Sequence, residues 1–330
     1  MSAPLVWVVG AGGLLGSRVL LELGADGFRA MPPFTWRDRE RLHGELRAGL
    51  TAFVLRLAQT PGRPWAIAWC AGAGVVATSP ADLETETANF GFFLQLLASE
   101  PALRRAPGYV LLASSAGGVY GASFACPISE STPVAPGSPY GRAKLAQEEL
   151  LLSWARSQPG SVSSLVARIS NLYGPGQRLS KPQGLISHMS RCLIYGAPVH
   201  VYVSLDTIRD YLFAEDAGRR LALGLRQLVR EAPREGLHVT KLYASEREVS
   251  IAGLLGVFRQ IARRKLRVVS GLHAAAALQP RRLQFRSQVW PRDGGRQVEL
   301  IEGVSRVYRH QLVLFRQGLL PSPPLTIARR

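Results

Sequence analysis

Leu5-Val6-Trp7-Val8-Val9-Gly10-Ala11-Gly12-Gly13-Leu14-Leu15-Gly16 decides the fold. Leu5 to Val9 is a short apolar run of residues suited to a strand. A glycine-rich turn follows, and an apolar helical pattern continues through Leu23. Strand, glycine turn and helix in that order let the backbone turn sharply and present a helix N-terminus, whose free N–H groups and dipole favour an anion. Gly10, Gly12, Gly13, Leu14, Leu15 and Gly16 are therefore the candidates for holding the pyrophosphate of a dinucleotide. Their spacing is Gly-x-x-Gly-x-x-Gly (Gly10, Gly13, Gly16), not the commoner G-x-G-x-x-G.

Beyond this turn, apolar strands alternate with helical patterns. A second strand is expected from Phe28 to Phe34, then a helix from Asp38 to Leu57. In a dinucleotide site an acid at the end of this strand holds the adenosine ribose hydroxyls, whereas a base accommodates a 2′-phosphate. Phe34-Thr35-Trp36-Arg37-Asp38-Arg39 has no acid at the strand end and two arginines after it. Arg37 thus leans the cofactor toward NADP, while Asp38 keeps NAD open. Pro64 to Ala73 reads as a buried parallel strand, and its small closing residues Ala71 and Gly72 leave room for a cofactor. Leu83 to Ser99 reads as a helix, and Gly108 to Ser115 and Ser161 to Ile169 as further strands. The alternation predicts an α/β fold, a Rossmann-type doubly wound parallel sheet, over residues 1–178. Residues 179–330 are less regular and read mostly as a smaller C-terminal α/β substrate domain, with 206–236 packing back onto the first. Helices are expected there over Gly184 to Tyr195, Ile251 to Arg264 and Gly303 to Gln317.

Ser138-Pro139-Tyr140-Gly141-Arg142-Ala143-Lys144 opens another helical pattern, which runs on through Leu150. Ser138 is a good N-cap and Pro139 suits the first helical position. Tyr140 and Lys144 then share a helix face, one turn apart. A phenol beside an ammonium is a proton-transfer device: a free tyrosine titrates at about 10, and a nearby Lys⁺ favours the phenolate. The chain has only four lysines (Lys144, Lys181, Lys241 and Lys265) among a large excess of arginine, so an ammonium in particular is wanted here.

Composition bounds the rest. The 330 residues are 47% hydrophobic, ample for a large core. Lysine and arginine number 40 against 23 acidic residues, a formal charge of +17. Such a balance fits a nucleic acid, an anionic membrane or a phosphorylated small molecule, or a general arginine richness. The bases are scattered, densest at Arg259, Arg263, Arg264, Lys265 and Arg267. Cys70, Cys126 and Cys192 lie far apart and are odd in number, which predicts no metal site or disulfide framework and a reducing cytoplasm. Met1 to Val9 lacks the basic start of a signal peptide. The uncharged stretch 106–129 holds prolines and glycines and reads as strand plus loop, not a membrane span.

Five motifs stand in order: Gly10-x-x-Gly13-x-x-Gly16; Ser114-Ser115 before Val119-Tyr120-Gly121; Tyr140-x-x-x-Lys144; Asn171-x-Tyr173-Gly174-Pro175-Gly176; and Arg209-Asp210-Tyr211 before Asp216. On these the sequence resembles an extended short-chain dehydrogenase/reductase of the nucleotide-sugar epimerase/dehydratase type, over about residues 5 to 310. Val298 to Ser305 resembles that family's closing segment more loosely. The resemblance implies Tyr140 as acid/base, with Lys144 on the nicotinamide ribose lowering the phenol's pKa. It implies Asn171 on the substrate, Arg209 on a substrate phosphate, and a homodimer formed through a helix pair that includes the Tyr140 helix. The family's usual hydroxyl position, counted back from Tyr120, falls on Ala116. Ser115, one place earlier, is the candidate instead, with Ser114 behind it, since Gly117-Gly118 can let the loop bulge. Dehydratases of the family carry an acidic pair where this chain has Gly117 and Gly118, which disfavours a 4,6-dehydratase.

The expected activity is oxidation and reduction of a hydroxyl on a nucleotide-activated sugar, as in a 4-epimerase. The alternative enzyme is an NADPH-dependent ketoreductase of a nucleotide keto-sugar or other keto metabolite, favoured by Arg37 and Arg39. A third reading is a non-catalytic dinucleotide- or polyanion-binding protein, motivated by the charge and by Ala116. No base-stacking aromatic run supports nucleic acid as a partner.

Overall fold

The computed structural model describes residues 2–158, 162–179, 184–233, 235–271, 280–290 and 295–323. Lys181 lies outside them. The first strand, β1 (Leu5–Val9), is wholly buried and leads through the glycine turn into α1 (Leu14–Leu23). Then come β2 (Gly27–Phe28), α2 (Arg39–Ala58), β3 (Trp65–Trp69), α3 (Pro80–Ser99), β4 (Gly108–Ser115), the short α4 (Ala116–Val119), α5 (Pro139–Ser157) and β5 (Val162–Ile169). The second half adds β6 (Asn171–Tyr173), α6 (Leu185–Tyr195), β7 (Val199–Val201), β8 (Ile208–Phe213), α7 (Ala214–Glu231) and β9 (His238–Tyr243). It closes with β10 (Glu248–Ser250), α8 (Ile251–Ala262), β11 (Val268–Ser270) and α9 (Leu300–Arg316).

Six strands form one parallel sheet in the order β2-β1-β3-β4-β5-β9. Order reverses between β1 and β3, which opens a crevice at their carboxyl ends where open α/β sheets bind ligands. One face is covered by α2, α3 and α5 around Trp7, Phe53, Trp69, Phe90 and Phe93. The other is covered by α1 and α7 around Val19, Leu221 and Leu225. A third core lies among α6, α8 and α9, built on Met189, Leu254, Phe258 and Val304. Two small sheets accompany it, β10-β8-β6 and β11-β7. Among the described residues no helix is long and apolar enough to cross a membrane.

The expected second strand, Phe28 to Phe34, is corrected. Pairing stops at Phe28, four residues before Pro32-Pro33, neither of which can donate to a ladder. The chain instead returns as a loop. Glu45 on α2 captures it by accepting hydrogen bonds from the Thr35 N–H (2.5 Å) and the Thr35 hydroxyl (2.9 Å). Trp36 packs edge-on against Trp69, the last residue of β3. Asp38 is consumed as the N-cap of α2, accepting from the Arg41 N–H at 3.0 Å.

Helix α5 starts where its sequence says. The Ser138 hydroxyl accepts from the Gly141 N–H at 3.1 Å, and Pro139 occupies the first turn. Its buried face carries Glu148, which receives a forked pair from Arg168 on β5 (Nη2 to Oε2, 2.7 Å) and the Ser114 hydroxyl from β4 (2.5 Å). Arg168 also donates to the Tyr120 hydroxyl at 2.5 Å. This network bolts α5 to β4 and β5. Breaking a buried pair by removing one partner strands the other charge, at about 3–5 kcal/mol. Glu148→Ala is expected to lose stability on that scale in urea unfolding, and a loss under about 1 kcal/mol would contradict it.

Candidate active site

The glycine turn is built by close approach. Gly10 has φ +90°, and a Cβ there would stand 2.7 Å from the Ala71 nitrogen at the end of β3. A Cβ on Gly16 would overlap the Gly10 carbonyl, whereas Gly12 faces open space. Gly13 precedes α1 with no side-chain cap, so the first N–H groups of that helix receive no hydroxyl or carboxylate from it. A bare helix N-terminus behind a side-chain-free turn, at the β1/β3 crevice, fits a dinucleotide pyrophosphate. Leu14 adds apolar surface toward β6: a Cβ on Gly174, just past that strand, would lie 3.7 Å from its Cδ1.

Tyr140 and Lys144 stand on the opposite lip. A Cβ on Gly72 would lie 3.4 Å from Lys144 Nζ, so the ammonium is one residue along from Ala71 and the glycine turn. Nζ is 5.9 Å from the centre of the Tyr140 ring. Glycines border that ring on two sides. The point where a Gly74 Cβ would sit is 3.6 Å from Tyr140 Cδ2, and the corresponding point at Gly118 is 3.1 Å from Cε1. The Gly118 point is also 3.3 Å from Ser115 Oγ, which brings the hydroxyl and the phenol ring together beside one residue. Ser115 caps α4 by accepting from the Gly118 N–H at 3.1 Å, leaving its own proton to donate. Ser114 is buried and committed to Glu148, and the Ala116 methyl is wholly buried against Tyr120 and Ile128.

Lys144 is buried, with Nζ donating to Glu86 Oε1 (3.1 Å) and Gln147 Oε1 (3.0 Å). Burial alone would push the ammonium down, but the Glu86 carboxylate outweighs it and holds Lys144 above its ordinary value. Burial pushes Glu86 up, yet Lys144 and the Gly74 and Ala73 N–H groups hold it below the usual carboxylate range. Sequence reasoning missed Glu86. The signal was its place on α3: Leu83, Phe90, Leu94 and Leu97 mark the buried stripe and Glu86 falls within it, where a charge requires a partner.

Asn171 and Arg209 come together without Tyr140. With Tyr173, Thr207 and Tyr211 they line a cavity of about 200 Å³ where the small β10-β8-β6 sheet meets the start of α6 and of α8. Parallel pairing sets Asn171 opposite Tyr211, and its amide donates to the Asp210 carbonyl at 2.8 Å. Arg209 donates to the Ile208 and Pro280 carbonyls at 2.8 and 2.9 Å, and burial pushes its guanidinium down from its ordinary value. Asp210 beneath is fully buried. Burial raises its pKa although Ser170 and Ser245 both donate to it. Arg37 is exposed beside Trp36, returned to the carboxyl edge of the sheet by the loop rather than by a strand.

A model of the NAD dependent epimerase/dehydratase family matches residues 6–238. A dTDP-glucose 4,6-dehydratase of Neisseria gonorrhoeae is 41% identical over 93 residues, 28% of this chain and 25% of that protein. A dTDP-4-dehydro-6-deoxyglucose reductase of Escherichia coli is 36% identical over 107 residues, 32% of this chain and 33% of that one. A UDP-glucose 4-epimerase of Mycolicibacterium smegmatis is 34% identical over 107 residues, covering 32% and 34%. The chain thus spans a quarter to a third of the length of these curated relatives. Among solved structures, MoeE5 in complex with UDP-glucose and NAD superposes with a TM-score of 0.72 at 22% identity, over 95% of this chain and 99% of that one. The UDP-glucose 4-epimerase of Thermotoga maritima, solved with UDP-glucose, gives 0.70 at 19% identity over 95% and 99%. At such identities the likeness is one of fold.

Gly10→Ala tests the cradle. The positive φ and the Ala71 backbone leave no place for a methyl, so the variant should lose more than about 1 kcal/mol in thermal unfolding. NAD⁺ should bind at least about tenfold more weakly in calorimetry, and unchanged affinity would remove the turn from the cofactor site.

Proposed function

The chain belongs to the NAD-dependent epimerase/dehydratase family, and from that premise we propose that it oxidises and re-reduces a carbinol carbon of a nucleotide-activated sugar, as an epimerase does. One observation carries the reading: the Ser115 hydroxyl and the Tyr140 ring converge beside Gly118, with Lys144 held below them and the glycine turn one residue away. A nicotinamide seated there supplies the hydride acceptor and donor. Tyr140 takes the proton from the sugar hydroxyl as the carbon is oxidised and returns it on reduction. Ser115 donates a hydrogen bond to the same oxygen and fixes it against the phenol. Lys144 sets its ammonium beside the phenol ring and holds the ribose hydroxyls. Arg209, already partly desolvated, offers its charge to the substrate diphosphate, and Asn171 offers its amide.

Elimination of water is not part of the reading. It requires a carboxylate beside the hydroxyl residue, and Gly117 and Gly118 provide none. A second reading, an NADPH-dependent reductase of a keto-sugar, draws on Arg37 and Arg39, which follow Trp36, the residue packed on the end of β3.

Tyr140→Phe should still bind NAD⁺ while turnover of a panel of UDP- and dTDP-hexoses falls by about 10²–10⁴-fold. Undiminished turnover removes Tyr140 from the reaction. The dinucleotide released on denaturing the purified protein, read by mass, separates the two enzymes: tightly held NAD supports the epimerase, and stoichiometric consumption of free NADPH supports the reductase.

A further inference from the structure

The Glu86 carboxylate meets four polar groups at the candidate site. Its Oε2 accepts from the Ala73 and Gly74 N–H groups, both at 2.8 Å, and its Oε1 accepts from Lys144 Nζ at 3.1 Å. The Gln147 amide lies 3.5 Å from Oε1 on the far side. The carboxylate therefore spans two elements that the reaction uses: the loop after β3, whose first residue touches Gly10, and the helix that carries the acid/base pair. It also lies beside the phenol. The point where a Gly74 Cβ would stand is 3.3 Å from Glu86 Oε2 and 3.6 Å from Tyr140 Cδ2.

We propose that Glu86 is a positioning residue that clamps Lys144 to the 72–74 loop and so fixes where the ammonium stands beside Tyr140 and the cofactor crevice. The inference rests on Tyr140 and Lys144 being the working pair. Glu148 on α5 also acts on Lys144, and it is itself met by Arg168 from β5, which is spent on Glu148 and Tyr120. Glu86 is the carboxylate in direct contact with the ammonium, and Glu148 is anchored elsewhere by its own partners. The loop hydrogen bonds add a second effect: with Glu86 in place, Ala73 and Gly74 cannot lift away from the crevice that the dinucleotide enters.

The test measures NAD⁺ binding by calorimetry in the full chain, with urea unfolding of the same proteins to show that each folds. Glu86→Ala, which frees the loop, should bind NAD⁺ at least about tenfold more weakly. Glu86→Gln keeps the shape and one acceptor but leaves the buried ammonium without its carboxylate, and its affinity should fall between those of Glu86→Ala and the wild type. Glu86→Asp keeps the charge and should return toward the wild-type affinity. Unchanged NAD⁺ affinity in folded Glu86→Ala and Glu86→Gln overturns the proposal. A Tyr140→Phe protein that still turns over sugar nucleotides would defeat the acid/base reading instead, and leaves the binding result standing as a measure of Glu86 alone.

Discussion

Everything at the crevice depends on how α5 is fixed to the sheet, and the fixing is ionic. Apolar packing of Leu151 and Ala155 holds the carboxyl half of the helix. The amino half, which carries the phenol and the ammonium, is held by Arg168 reaching from β5 to Glu148, with Ser114 and Tyr120 completing the bonds. Such a network has direction where a hydrophobic contact has none: its forked geometry permits one azimuth of the helix. Gly141 completes the placement, since its missing side chain lets the first turn of α5 rest against the Gly118 carbonyl. Helix rotation, helix depth and the approach of Tyr140 to Ser115 are thus fixed by few residues, most of them remote from any substrate.

The parallel sheet was legible because its strands are buried on both faces and read as unbroken apolar runs, Leu5–Val9 and Trp65–Trp69 being the plainest. The start of α5 was legible through its cap, Ser138 accepting from an N–H three residues on; Ser79 and Ser250 cap α3 and α8 in the same way, and the start of α3 at Pro80 lies three residues before the expected Leu83. What escaped was short or non-local. β6, β7, β10 and β11 have three residues each, too few for alternation to register. The second strand was overread because apolar residues continue to Phe34, while the two prolines and the Glu45–Thr35 bonds that end it act through donors and tertiary contacts.

At the site, local and long-range information divide in the same way. Tyr140 and Lys144 are four apart on one helix, so their pairing was written in the spacing. Gly10 and Gly16 declare a tight turn by being glycines. Ser115 was chosen over Ala116 on composition, and the coordinates set its hydroxyl beside the phenol while the Ala116 methyl turns into the core. Glu86 is separated from Lys144 by 58 positions and no local pattern links them. Only the oddity of a carboxylate on a buried stripe hinted that a cation awaited it. Trp36, next to Arg37, reaches the sheet edge through its contact with Trp69, again a relation no window of sequence contains.

The glycines bordering the Tyr140 ring have a bearing on redesign. A side chain at Gly117 would project into open space, whereas one at Gly118 starts 3.1 Å from the ring edge. Grafting the carboxylate pair of a water-eliminating relative onto these two positions would therefore succeed at the first and wedge the phenol aside at the second. At the second position the Tyr140 ring has to give by a few tenths of an ångström, so the graft draws in the start of α5 as well as the dipeptide.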